Sequence, residues 1–448
     1  MNIALCHFRV GETDGVSLEM DKWKIELEKL GHKVYLLAGS TGSTEGYVIP
    51  ELHYKSPENN KFVKNAYKVL EDYKDGDELE EAIMAYAKKI EAGLEIFVKK
   101  YNIDILVPNN IWSLGWGLPA GIAFNHAAKK LNVKCIAHNH DFHWERVRYS
   151  NPTCNNITKL LNEYFPPEDD LFKHAVINDI ARREMLKRKD IKATIVPNVF
   201  DFKAQFWKID NYNKDFRKTI GIDKNDILVL QGTRIAERKA IELAIDVLGE
   251  MQTDKKIQPL YNNKLYDGRQ FGKDNKIVYV MAGLPEAEEG YIEQLIKKAE
   301  NLGVKMIFVN DVIEHSRSVV NGVKCYSLWD AYAHADLVTY PSVLEGWGNQ
   351  FLEAIFAKKP VIVYEYPVYV SDLKDKGFDV ISLGDTHEVD PNGLVIVDEK
   401  LIKKAAIEAI DILINSGKRI KIAENNFAIC DKYFSYQSLG RILGKLFA

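Results

Sequence analysis

Nowhere in this chain does an apolar run approach the roughly 18 residues that a membrane-spanning helix needs. Nor does a charged segment with an apolar stretch precede the strand-like residues Ile3 to Phe8. Membrane spanning and secretion are therefore disfavoured, and a cytoplasmic setting is expected. Cysteine is scarce. The five residues Cys6, Cys135, Cys154, Cys325 and Cys430 are scattered and odd in number, with no C-x-x-C pair. That argues against a disulfide frame or a zinc ribbon and fits reduced thiols. A basic excess is missing too. The 60 Lys and Arg stand against 64 Asp and Glu, a formal net charge of -4 that leaves no footprint for nucleic acid. Low-complexity tracts and repeats at solenoid periods are not found.

What is present is alternation. At 448 residues the chain exceeds one ordinary core and suggests two domains of about 200 residues. Strand-like and helix-like segments alternate throughout, the pattern of parallel sheets covered on both faces. Strands are expected over 3–8, 33–38, 104–108, 134–138, 175–178 and 194–197, with helices near 17–30, 79–101, 118–131 and 180–188. After an Asp-, Asn- and aromatic-rich linker around 200–218 the pattern restarts. Strands are expected over 227–232, 276–282, 305–309 and 335–341, and helices over 238–248, 291–302 and 328–334. Residues 252–275 lack periodicity and read as a mobile surface insertion. Asp75-Gly76-Asp77 could pass for a metal-binding Asp-x-Asp, but it does not end a strand, and Asp77 with Glu80 reads as a helix N-cap.

The most informative segment is Glu345 to Pro360, EGWGNQFLEAIFAKKP. It follows the apolar run Ala335 to Pro341, and Gly346 and Gly348 lie between Glu345 and Glu353. Strand, glycine turn and helix start make an anion site, because glycine lets backbone approach and the first helical amides are donors. Two carboxylates framing such a turn suit a sugar nucleotide: one can hold sugar hydroxyls and the other a ribose diol. Arg234 and Lys239 lie five residues apart after another strand, where a guanidinium fork and an ammonium can neutralise a diphosphate. Arg238, between them, reads as a surface charge. In a third strand-end segment, Cys135 to Arg146, His138, His140, His143 and Asp141 cluster. His-x-His at a strand end also invites a metal reading, but no distant ligands support it.

Together these segments resemble retaining glycosyltransferases of family 4, whose E-x7-E motif precedes a Lys-Pro-Val strand as Lys359-Pro360-Val361 does here. The likeness implies an α/β fold of GT-B type: two Rossmann-like, doubly wound parallel-sheet domains facing a deep cleft. A C-terminal helix would cross back to the first domain. The expected limits are 1–205, with 430–448 packing back on it, for an acceptor-side domain, and 206–429 for a nucleotide-sugar domain. The resemblance implies a nucleoside-diphosphate sugar as co-substrate, a UDP- or GDP-hexose, and no obligatory cofactor or metal. Glu345 would face the transferred sugar, the amides of Gly346, Trp347, Gly348, Asn349 and Gln350 would bind sugar and phosphate, and Glu353 would take the ribose. Trp347 stands where the family has Phe, and Asn349-Gln350 replace Leu-Pro, so the sugar stays open. Arg234 and Lys239 match the family's G-R-x-x-x-x-K segment. Either His140 or His138 matches its catalytic histidine. Gly15 alone matches the family's phosphate loop, with Asp14 in place of the first glycine. Val196 to Asp201 resembles the hinge segment.

The acceptor is expected to be small, polar and anionic. Trp144 can stack on a sugar face, Arg146 or Arg148 can fork a carboxylate or phosphate, and Asn110 can contact hydroxyls. Three rivals stay open: transfer to a lipid-linked or cell-wall glycan at a membrane surface, non-catalytic sugar-nucleotide binding, and metal-dependent hydrolysis. The oligomeric state is left open.

Overall fold

A computed structural model describes residues 1–11, 15–287 and 290–448; the residues Glu12, Thr13 and Asp14 of the expected phosphate loop fall outside it. The chain forms two compact units, Met1–Val199 with Tyr436–Ala448, and Phe200–Ser435.

The first unit holds seven strands: β1 Asn2–His7, β2 Lys33–Ala38, β3 Tyr47–Val48, β4 Ile105–Pro108, β5 Lys134–Asn139, β6 Phe172–Val176 and β7 Ala193–Ile195. Their order is β3-β2-β1-β4-β5-β6-β7, with every neighbouring pair parallel. Apolar side chains fill both faces of this sheet. Ala4, Cys6 and Leu106 join one core, and Ile3, Leu5 and Val107 the other. The strand order reverses between β1 and β4, and at such a reversal the two flanking loops diverge and leave a crevice at the carboxyl ends.

The last helix, Tyr436–Leu446, belongs to this first unit. Leu439 and Leu443 sit one turn apart on one face, and with Leu446 and Phe447 they are buried among residues of the helix Gly15–Lys29. Phe447 meets Trp23 edge-on at 6.2 Å.

The second unit repeats the scheme with β8 Ile227–Gln231, β9 Ile277–Met281 and β10 Lys305–Phe308. A small sheet follows, β11 Ile313–Glu314, β12 Ser318–Val320 and β13 Val323–Ser327, its hairpin closed by Asn321 and Gly322 at positive φ. Then come β14 Leu337–Tyr340, β15 Val361–Val363 and β16 Ile381–Ser382. The main sheet runs β10-β9-β8-β14-β15-β16, again parallel, and reverses between β8 and β14.

Two sequence expectations need correction. Residues 252–275 are not a loose insertion: Leu260, Leu265 and Phe271 are buried. Arg269 binds the carboxylate of Asp336, which also accepts from Arg217 at 2.8 Å and from Tyr266 at 2.8 Å. Burial pushes the Asp336 carboxyl up, but the Arg217 and Arg269 guanidiniums and the Leu228 amide outweigh it and hold the group below its usual range. The cap of the helix Gly76–Tyr101 is Asp75, whose carboxylate accepts from Glu78 N at 3.0 Å; Asp77 lies inside the first turn. Among the described residues no helix is long and apolar enough to cross a membrane, and all five cysteines are free.

Candidate active site

In the second unit the candidate residues arise from two loops at the carboxyl ends of β8 and β14. β8 ends in Gln231, whose buried amide is bonded to Thr233 at 2.5 Å, Tyr279 at 3.1 Å and Thr339 at 2.5 Å. This network fixes the floor beneath the loop. Gly283 must be glycine, since a Cβ there would lie 1.7 Å from the carbonyl oxygen of Thr233. The loop is zipped to its neighbour by Ile235 N to Leu284 O and Glu286 N to Ile235 O, both 2.9 Å. That pairing sets the Arg234 guanidinium on the Glu286 carboxylate, at an exposed position. A short 3-10 turn, Glu237–Lys239, then carries Lys239 inward.

Val343 N donates to Arg238 O at 3.0 Å and draws the turn after β14 onto this loop. As a result Lys239 Nζ bonds Glu345 Oε1, with side chains only 5 % and 10 % exposed. Burial lowers the Lys239 ammonium below the ordinary lysine value, while Glu345 opposes that shift. Arg238 also reaches Glu345, at 3.4 Å, so it is a surface charge tied to the site. Beyond Glu345, Gly348 has φ +129° and a Cβ there would lie 2.3 Å from the Tyr366 hydroxyl. Only glycine fits, and it begins the helix Asn349–Phe356 without a side-chain cap. Tyr366 donates to Trp347 O at 2.7 Å, fixing the turn. The Trp347 ring is buried and edge-on to Phe434 at 5.4 Å, so this residue offers backbone, not its ring. Gln350 O accepts from the Tyr332 hydroxyl at 3.4 Å. Glu353 is half-buried beside that same hydroxyl.

In the first unit the histidine segment follows β5. His138 is buried, stacked on Trp23 at 4.3 Å, with Nδ1 3.1 Å from Asn109 Oδ1. Burial, with His140 adding to it, holds its imidazole well below the usual value, so it is neutral and enclosed. His140 is half-buried one step further along, its ring 4.1 Å from that of His138. Both rings are sheltered: the Nε2 of His140, like that of His138, is closed off from solvent. Asn110, with φ +55°, turns its side-chain oxygen onto His140 N at 2.7 Å, Asp141 N at 3.3 Å and Ser113 Oγ at 3.1 Å. It is 4 % exposed and holds the histidine loop, a different task from the hydroxyl contact expected of it.

The arginines nominated as acceptor ligands are placed otherwise than expected. Arg146 pairs with Asp141 at 2.7 Å, and Arg148 is exposed over its neighbour Tyr149. Trp144 stacks on Phe142 at 4.4 Å, with Arg188 over its ring at 5.4 Å. Gly15 opens the helix Gly15–Lys29, and a Cβ there would meet nothing within 4 Å. Among the described residues no group of three His, Cys, Asp or Glu converges as a metal centre requires. Glu286, Tyr332 and Tyr366 escaped the sequence reading. Their only signal was aromatic and acidic residues near the strand ends.

The pattern of the family described as glycosyl transferases group 1 matches residues 213–427, which hold both second-unit loops. A mannosylglucosylglycerate synthase from Petrotoga mobilis is 40 % identical over 92 % of this chain and 93 % of its own. The enzyme of that name from Thermotoga maritima is 37 % identical over 99 % of each. The chain belongs to the group 1 glycosyltransferases. It is an enzyme of that family, and its donor is a nucleotide sugar. Solved structures agree on the GT-B fold. Sucrose-phosphate synthase from Thermosynechococcus elongatus superposes with TM-score 0.56 at 15 % identity, covering 100 % of this chain and 98 % of the other. The catalytic domain of starch synthase IV from Arabidopsis thaliana gives 0.58 at 11 %, covering 100 % and 98 %.

Proposed function

We propose that this glycosyltransferase moves a hexose, mannose first among the candidates, from a UDP- or GDP-sugar to a small anionic acceptor of the glucosylglycerate kind, with retention at the anomeric carbon. The observation that carries this reading is the near-full-length likeness to two mannosylglucosylglycerate synthases. The buried Lys239–Glu345 pair at the strand-end turn supports it. In the reaction the bond from the anomeric carbon to the β-phosphate oxygen breaks and the acceptor oxygen attacks from the same face. The acceptor's proton passes to the departing phosphate. Arg234, Lys239 and the amides after Gly348 meet the negative charge that grows on the diphosphate. Glu345 orients the sugar, Glu353 holds the ribose, and His140 takes the place of the family's catalytic histidine. No metal is required for this charge neutralisation, since two cations and a helix start supply it. The reaction is placed in the cytoplasm.

The experiment offers the enzyme GDP-mannose, UDP-glucose and other sugar nucleotides with glucosylglycerate, with and without a chelator. The reading expects nucleoside diphosphate and a mannosylated product, unchanged by the chelator. Donor hydrolysis without glycoside formation, or transfer to lipid-linked acceptors alone, would overturn it.

A further inference from the structure

At the end of β14 the Tyr340 side chain is 1 % exposed, and its hydroxyl, sealed from solvent, finds no hydrogen-bond partner among the described residues. A buried hydroxyl left unpaired costs free energy, so its place needs a reason. Lys239 Nζ stands over the Tyr340 ring, 5.8 Å from the centroid, and bonds Glu345 Oε1. The Tyr366 ring meets the Tyr340 ring edge-on at 5.7 Å, and its own hydroxyl is committed to Trp347 O at 2.7 Å. A Cβ on Gly348 would lie 3.4 Å from the Tyr340 hydroxyl, which puts that hydroxyl beside the start of the helix Asn349–Phe356. Burial, and the Glu345 carboxylate after it, raise the phenol well above its ordinary value, so it keeps its proton and remains a donor. Donor binding changes the demands on this cluster. A diphosphate draws the ammonium that Glu345 now holds. Glu345 would then keep only Arg238, 3.4 Å away on a side chain 43 % exposed, whereas its own carboxylate is 10 % exposed and needs a closer partner. The unpaired phenol is a spare donor in the same turn.

We infer that Tyr340 is a positioning residue: when the donor's diphosphate takes Lys239, the Tyr340 hydroxyl takes over the Glu345 carboxylate and holds it at the transferred sugar. This rests on the roles given to Lys239 and Glu345 above. It adds a residue that the sequence showed only as part of an apolar strand. The hydroxyl is idle in the resting enzyme and bonded in the loaded one, so its loss should be felt in the loaded state alone.

The test uses the full-length enzyme, with GDP and UDP as probes in calorimetry. Tyr340→Phe keeps the ring under the ammonium and removes only the hydroxyl. Without ligand its thermal midpoint should equal or exceed that of wild type, because the lost hydroxyl had no partner. Whichever diphosphate wild type binds should bind to Tyr340→Phe roughly 10-fold more weakly, the size of one hydrogen bond to a charged group. In a Glu345→Gln background the same substitution should change affinity by less than about twofold, since no carboxylate is left to hold. Should Glu345→Gln fail to fold, the two measurements on Tyr340→Phe alone still decide. A wild-type enzyme that binds neither GDP nor UDP overturns the donor reading and this inference with it. Unchanged affinity in Tyr340→Phe overturns the inference alone, as does an equal loss in the Glu345→Gln background. A lowered midpoint of unliganded Tyr340→Phe also overturns it, because the hydroxyl would then serve the resting fold.

Discussion

Glu345 meets a lysine that is even more buried than itself, so removing the carboxylate would strand a buried ammonium. Lys239→Ala and Arg234→Ala should each lower turnover on the order of a hundredfold, because each takes a positive charge from the departing diphosphate. Steady-state kinetics with saturating acceptor checks this, and near-normal turnover in both variants would remove the diphosphate assignment. Glu353→Ala should raise the donor KM more than it lowers kcat, since a ribose contact is present before and during the reaction. Glu345→Ala should act on kcat. A reversed order would mean that the two carboxylates exchange roles. Glu286 offers a gentler probe. It holds Arg234 through an exposed pair, worth at most about 1 kcal/mol, that a bound phosphate would replace. Glu286→Gln should therefore tighten donor binding by up to about fivefold, measured by calorimetry, and weaker binding would contradict the swap.

At the scale of elements, the turn after β14 depends on Gly348. Gly348→Ala should cost about 1–3 kcal/mol through its positive φ alone, with the Tyr366 hydroxyl in the way besides. Tyr366→Phe in that background should recover only the steric part, read as a partial return of the thermal midpoint. Full recovery would mean that φ carries no strain. β6 supplies a pH dependence. His174 donates from Nε2 to Pro167 O, 3.0 Å away, and burial holds its imidazole down to about 4 from an ordinary 6.5. Between those values the unfolded chain binds a proton that the folded chain refuses. Stability is thus full above 6.5, falls as pH drops towards 4, and levels off below, by on the order of 3 kcal/mol for this group. Burial also holds His143 down to about 4, so it adds to the same slope. Thermal midpoints across that window should fall less steeply in His174→Gln; an unchanged slope would remove the assignment.

Elements with a strong period were legible before any coordinates. The helices Leu118–Leu131 and Leu328–His334 and the strand Lys33–Ala38 have the expected bounds. Residues 252–275 were misread because their order comes from long-range contacts, Arg269 and Tyr266 on Asp336 among them, that no local pattern announces. The loop after β4 shows the same limit at the site. Trp112 is fully buried, with Nε1 donating to Gly121 O at 2.8 Å, while Trp116 remains half-exposed against Tyr54. In sequence they are two tryptophans among glycines. Likewise His138 and His140 alternate along one extended segment. Only the stacking of Trp23 on His138 tells the two rings apart.

For the whole molecule, the chain leaves the first unit at Val199 and returns to it at Tyr436. The returning helix buries Leu439, Leu443, Leu446 and Phe447. At roughly 1.5–3 kcal/mol for each such side chain, an upper estimate, their sum rivals the total stability of a typical domain. A chain ending at Ser435 should lose amide protection in β1 and the helix Gly15–Lys29 while β8 stays protected. Hydrogen exchange reads both, and retained protection in β1 would contradict the packing.

The central claim is that this chain makes a glycosidic bond on an anionic acceptor with retention. The most direct measurement is NMR of the product formed from GDP-mannose and glucosylglycerate. The account predicts one new anomeric signal of the donor's configuration, linked to the glucose ring, with one nucleoside diphosphate released per bond. An inverted anomeric centre, or free mannose with the acceptor intact, would contradict it.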